Sequence, residues 1–155
     1  MPILGIIASS VFITGSINFL KKLFITGNDG TLRSTTGALT TFDTNISSEV
    51  GTTWTTQNAN FGNTLIRSVA YGNDLWIAGG FVGTLRTSTD AITWTTQTSN
   101  FGNASIFSVA YGNNLWIAGG VVGFIRTSTD GTTWTTQTSN FGNTQINSVA
   151  YGNNL

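Results

Sequence analysis

The side chains able to do chemistry are few. The acids are Asp29, Asp43, Glu49, Asp74, Asp90 and Asp130, and there is no His and no Cys. Without them there is no imidazole base, no thiol nucleophile, and almost no route to a transition-metal site. Ser and Thr are abundant, but nothing activates them as nucleophiles. Two carboxylates at a set separation could hydrolyse a glycosidic bond, yet no local spacing specifies such a pair. Asp29 sits in "GNDG", which lacks the acid-rich loop and terminal Glu of a calcium hand, so a turn is expected there. The Gly-rich "AGGVVG" at 118–123 is not followed by Lys-Ser/Thr or a helix start, so it does not cradle phosphate. The expectation is a non-enzyme with no cofactor and no metal.

Arg33, Arg86 and Arg126 recur at one equivalent position, where they could clamp a carboxylate through paired N–H bonds or, more simply, cap each blade or salt-bridge a nearby acid. Net charge is zero, with six basic and six acidic residues, so neither nucleic acid nor an anionic membrane is an expected partner. The five Trp and three Tyr could stack on sugar rings, which requires no charge, but packing is the first use of such rings.

These residues ride on a repeat. Residues 51–90 and 91–130 are identical at 29 of 40 positions, and a third copy starts at Gly131. Trp54/Trp94/Trp134, Phe61/Phe101/Phe141 and Tyr71/Tyr111/Tyr151 fix the period. A worn copy lies upstream, where "LFITGNDGTLR" (23–33) echoes "LWIAGGFVGTLR" (75–86). From Arg33 to Trp54 is 21 residues, against eight from Arg86 to Trp94, so the first copy carries an insertion. Each unit alternates like strands and is punctuated by Gly-Asn-Asn and Thr-Asp-Gly turns. Four strands every ~40–45 residues is the pattern of a β-propeller blade.

The fold class expected is therefore all-β, with propeller-like four-stranded antiparallel blades in an incomplete ring. Residues 1–20 form an apolar assembly segment, 21–58 a degenerate first blade with an insertion, 59–98 and 99–138 two blades, and 139–155 the start of another. Trp54, Trp94, Trp134, Trp76 and Trp116 are expected to wedge between sheets. Gly79-Gly80 and Gly119-Gly120 should permit close approach. Three blades and a fraction do not close a propeller, so a longer parent chain or association of copies into a homo-oligomer is expected. A stacked cross-β or β-helical assembly is the lesser alternative, and the absence of twenty-residue rungs weakens the β-helix version.

Between otherwise fixed copies, one strip varies: Leu65 and Arg67, Ser105 and Phe107, Gln145 and Asn147. If the protein recognises something, this strip is the first candidate, with drift on a solvent face as the plain alternative.

"STDGTTW" (128–134) resembles the Asp-box of bacterial-neuraminidase-type repeat propellers, one residue shorter between Asp130 and Gly131. "STDAITW" (88–94) keeps Ser88, Asp90, Thr93 and Trp94. The resemblance implies a structural hairpin in which Asp90 and Asp130 accept turn amides and Trp94 and Trp134 pack between sheets. The catalytic Tyr–Glu pair of sialidases has no identifiable counterpart.

Residues 2–20 are uncharged and near the ~20-residue length of a membrane span, but Ser9, Ser10, Thr14, Gly15, Ser16 and Asn18 dilute them. No basic start marks a secretory signal. The opening "MPILGIIASS" resembles the start of tail and fibre proteins of tailed phages. That resemblance implies a structural virion protein located in the extracellular particle. Ile3, Leu4, Ile6 and Ile7 would dock on other virion proteins, and the repeats would project toward a host-surface glycan or protein receptor. A secreted or membrane-tethered propeller lectin of a cell is the alternative, and a sialidase-like glycosidase stands behind it.

Overall fold

The computed structural model describes residues 20–26, 32–38 and 55–152. Ile3, Leu4, Ile6, Ile7 and Trp54, Asp29, Asp43 and Glu49, and most of the insertion lie outside the described residues. Among the described residues, eleven strands fall into three antiparallel sheets. The first sheet joins β1 (Leu20–Thr26), β2 (Leu32–Ala38) and β3 (Thr55–Gln57). The second is a four-stranded meander of β4 (Ile66–Gly72), β5 (Leu75–Gly80), β6 (Leu85–Ser88) and β7 (Thr95–Gln97). The third repeats it with β8 (Ile106–Gly112), β9 (Leu115–Gly120), β10 (Ile125–Ser128) and β11 (Thr135–Gln137).

The register of the first sheet identifies its strands. Leu32 faces Gln57 and Arg33 faces Thr56, as Leu85 faces Gln97 and Arg86 faces Thr96. Thus β1, β2 and β3 take the places of β5, β6 and β7.

Local chemistry sets the turns. Asn73 and Asp74 (φ 48° and 55°) close the β4–β5 hairpin, and Asn113 and Asn114 (φ 49° and 59°) close β8–β9. Two consecutive positive φ values make a type I′ turn, which matches the twist of its strands and favours Asn and Asp. Tyr71 Oη then donates to Asp74 at 3.0 Å, and Tyr111 Oη to Asn114 at 3.2 Å.

Packing occurs between sheets rather than inside one. β4 packs on β8, and β5 also reaches β8, so the four-stranded sheets converge along their first strands. Alternation along β5 sends Ala78, with Trp76, toward the first sheet and Ile77 toward the third. Trp94 joins Leu32, Phe61 and Ile66 in one core, while Trp134 and Trp116 join Ile77, Leu85 and Phe101 in the next. Burial of each large side chain contributes roughly 1.5–3 kcal/mol. Trp94 and Trp134 sit at the end of the turn just before β7 and β11, so each ring leaves its own blade and fills the joint with the preceding sheet.

Each joint is also hydrogen-bonded by repeat-invariant groups. Val109 N donates to Ser68 Oγ at 3.0 Å, and Val149 N to Ser108 Oγ at 3.1 Å. Asn60 Nδ2 donates to the Trp94 carbonyl, and Asn100 Nδ2 to that of Trp134. A Cβ on Gly79 would lie 2.8 Å from Ile106 Cγ2, and one on Gly119 at the same distance from Ile146 Cγ2. Gly79 and Gly119 therefore let adjacent sheets meet, while Gly80 and Gly120 clear the carbonyls of Leu65 and Ser105 in their own sheets.

Residues 146–152, expected as a strand, lie against the third sheet but form no ladder among the described residues. A strand is defined by its partner, and the described residues supply none here. The described residues form an arc of sheets and do not close a ring.

Candidate recognition site

Asp90 and Asp130 are spent within their own turns. Asp130 Oδ1 accepts the amides of Thr132 (2.8 Å) and Thr133 (2.7 Å) and the Ser128 hydroxyl (2.9 Å). Asp90 accepts the amides of Ile92 and Thr93 and the Ser88 hydroxyl in the same way. Bonds from backbone amides favour the charged form and hold both carboxyls well below the usual carboxylate range. Such an acid carries no proton near neutral pH and is unsuited to general-acid work. Among the described residues no three acidic side chains gather where a metal ion could be held.

The repeated arginines serve the joints. Arg126 is buried, with its guanidinium 5.0 Å from the ring centres of both Phe101 and Phe124. It donates to the Asn100 carbonyl from Nε (3.3 Å) and Nη2 (3.1 Å), and to the Ile125 carbonyl at 3.0 Å. Its fork is therefore committed to backbone carbonyls rather than to an acid. Arg86 has Phe61 at 5.4 Å and bonds to Thr96 Oγ1; Thr84 stands where the second copy has Phe124, so Arg86 is only half-buried. Desolvation lowers the pKa of both guanidinium groups.

The variable strip behaves differently. Ile66 pairs with Gly80 and Ser68 with Gly79, leaving Arg67 as the extra residue of a β-bulge; Phe107 occupies the matching bulge between Ile106 and Ser108. A bulge re-aims a side chain without disturbing the ladder on either side. The structure brings these two together: the exposed Arg67 guanidinium lies 5.1 Å from the Phe107 ring centre. Leu65 and Ser105 are half-buried, and their carbonyls accept the amides of Phe81 and Val121. Gln145 and Asn147 are exposed on the segment that follows the third sheet.

Phe81 does not figure in the sequence expectations, yet its ring centre lies 4.9 Å from the Arg67 guanidinium. The signal was present: Phe81 is Val121 in the next copy, one of the few differences between them. Phe81 opens a tight turn, Phe81–Gly83, whose middle residue Val82 has φ 54° and ψ 36°. A β-branched residue in the left-handed region is costly, and surrounding contacts must hold it. Here Phe81 N donates to the Leu65 carbonyl and Thr84 N to that of Phe81, both at 3.0 Å, while Ser99 Oγ donates to that of Gly83 at 2.6 Å.

Converging four-stranded meanders, joined face to face by a fixed set of groups, define the β-propeller class. Among solved structures, the chain is similar to YCF48 bound to D1 peptide, a β-propeller, with TM-score 0.57 and 17% identity over 74% of this chain. The likeness is one of fold, and the chain spans 36% of that structure's length. No family model matches the chain, and no curated protein matches it.

Proposed function

We infer that the chain is a non-catalytic recognition and assembly module, a β-propeller component of a tailed-phage tail or fibre. One observation carries the recognition part. The groups that hydrogen-bond each joint are the same in successive copies, whereas the bulge residue beside the joint changes from Arg67 to Phe107, with Asn147 at the matching sequence position. A rigid frame with a replaceable, partly exposed side chain at one repeated point is suited to display.

The Ser-Thr-Asp turns support placing the repeat among Asp-box propellers. Each carboxylate ties up two turn amides, and each following Trp ring is buried. In both turns the accepted amides are those of the second and third residues after the Asp. The virion setting rests on the opening "MPILGIIASS", with Ile3, Leu4, Ile6 and Ile7 docking on neighbouring virion proteins and several copies projecting together. Multiple copies make weak contacts to a host surface effective through avidity.

The test is to probe phage particles, purified on a density gradient, with an antibody against the repeat. The chain should band with particles and stay with them in high salt. Recovery in the culture medium or in a detergent-dependent envelope fraction, with none on particles, refutes the virion setting and points to a cell-borne propeller lectin.

A further inference from the structure

The two matched repeats differ at few positions, and three of the residues concerned meet at one spot. Arg67 and Phe107 are repeat mates on successive bulges, and Phe81 has Val121 as its mate. The Arg67 guanidinium has Phe81 at 4.9 Å and Phe107 at 5.1 Å, is exposed, and makes no hydrogen bond to any described residue. Arg126, by contrast, is buried and spends its donors on carbonyls. A guanidinium beside rings is attracted to their faces and here has its planar fork of donors unspent. The strained turn after Phe81 is pinned on both sides, so the site is formed before any ligand arrives.

The ligand is an oxyanion, and the surroundings narrow its kind. One planar guanidinium matches one planar carboxylate through two parallel N–H···O bonds. Polyphosphates and anionic bilayers are read by clusters of cations. Here the whole chain holds six basic residues, and two of the arginines are built into the joints. Asn63 and Thr64 precede Arg67 in the chain, and Asn103 and Ser105 precede Phe107; these neutral hydroxyl and amide groups suit the hydroxyls of a sugar. We propose that Arg67, flanked by Phe81 and Phe107, binds the carboxylate of an acidic sugar residue on a surface glycan. This rests on the recognition reading and names the ligand class for that same strip.

The experiment uses the full chain displayed in many copies on a sensor. The probes are methyl glucuronide and the methyl glycoside of N-acetylneuraminic acid, each against its carboxyl methyl ester, with inorganic phosphate and a blocked diglutamate peptide alongside. The acids should bind at least about tenfold tighter than their esters, the worth of a charge-assisted pair. Arg67→Gln should remove that preference and Arg67→Lys keep only part of it. Phe107→Asn should weaken binding severalfold, with thermal unfolding unchanged in all three variants. Equal binding of acid and ester, undiminished binding by Arg67→Gln, or no binding of any probe overturns the proposal. Phosphate or the acidic peptide binding as tightly as the sugar acids overturns the assignment to sugar. Antibody detection on particles is independent of Arg67, so the virion setting stands or falls separately.

Discussion

Gly72, Gly112 and Gly152 hold one repeat position, and the structure assigns them three different fates on substitution by Ala. A Cβ on Gly72 would lie 2.6 Å from Tyr111 Cβ, with ring atoms closer still. Tyr111 is half-buried against Trp116, ring centres 4.7 Å apart, and belongs to the core between the two four-stranded sheets. It cannot swing away without opening that joint. Overpacking of this sort costs about 1–3 kcal/mol, against about 0.4–1 kcal/mol returned by the stiffer unfolded chain. Gly112→Ala meets Tyr151 Cβ at 2.5 Å, but Tyr151 is 49% exposed on a segment without ladder partners among the described residues, so it yields more cheaply. Around Gly152 no described residue lies within 4 Å, and Ala there should be neutral or slightly stabilising. The expected order of destabilisation is Gly72 above Gly112 above Gly152, with about 2 kcal/mol between the extremes. Urea titration followed by Trp fluorescence would show this as a midpoint shift on the order of 1 M, for slopes of about 1–3 kcal/mol per M. Equal midpoints for Gly72→Ala and Gly152→Ala would refute the ring-on-glycine account of the joint.

Three further outcomes are expected. Arg126→Lys should cost about 2 kcal/mol, and Arg86→Lys distinctly less, because only Arg126 has rings on both sides and bonds to two carbonyls; paired urea curves measure the difference. Asp90 and Asp130 are held below the ordinary carboxylate value of about 3.9, so their contribution to stability is present above that value and is lost as pH falls toward their folded values. Thermal midpoints should therefore be flat from about pH 5 to 8, since the chain has no His, and fall in acid; the double variant Asp90→Ala, Asp130→Ala should flatten the acid limb. Val122, at φ 57° and exposed, should accept Asn with a gain of up to about 1 kcal/mol, read as a raised thermal midpoint, because Asn tolerates the left-handed region.

Much of the frame was legible in the order of residues. Asn-Asn and Asn-Asp between alternating strands specify a tight hairpin through local φ preference alone. Ser88-Thr89-Asp90 and Ser128-Thr129-Asp130 specify a turn whose partners are two and three residues away. The 40-residue match of landmarks such as Trp94 and Trp134 implies that equal sheets stack. Residues 146–152 share that pattern yet form no ladder among the described residues, because a strand requires a partner and the period of a sequence does not supply one.

By itself, then, the sequence determined the unit, its turns and its repetition, since these depend on contacts within a few residues or on exact recurrence. The tertiary structure alone decided what each arginine touches. Arg67, Arg86 and Arg126 are the same residue type in the sequence; folding buries one among rings and carbonyls, half-buries another, and leaves the third exposed between Phe81 and Phe107. The physical reason is that the environment of a side chain here is made at the joint between sheets, by residues about 40 positions away on the next copy, such as Phe107 against Arg67.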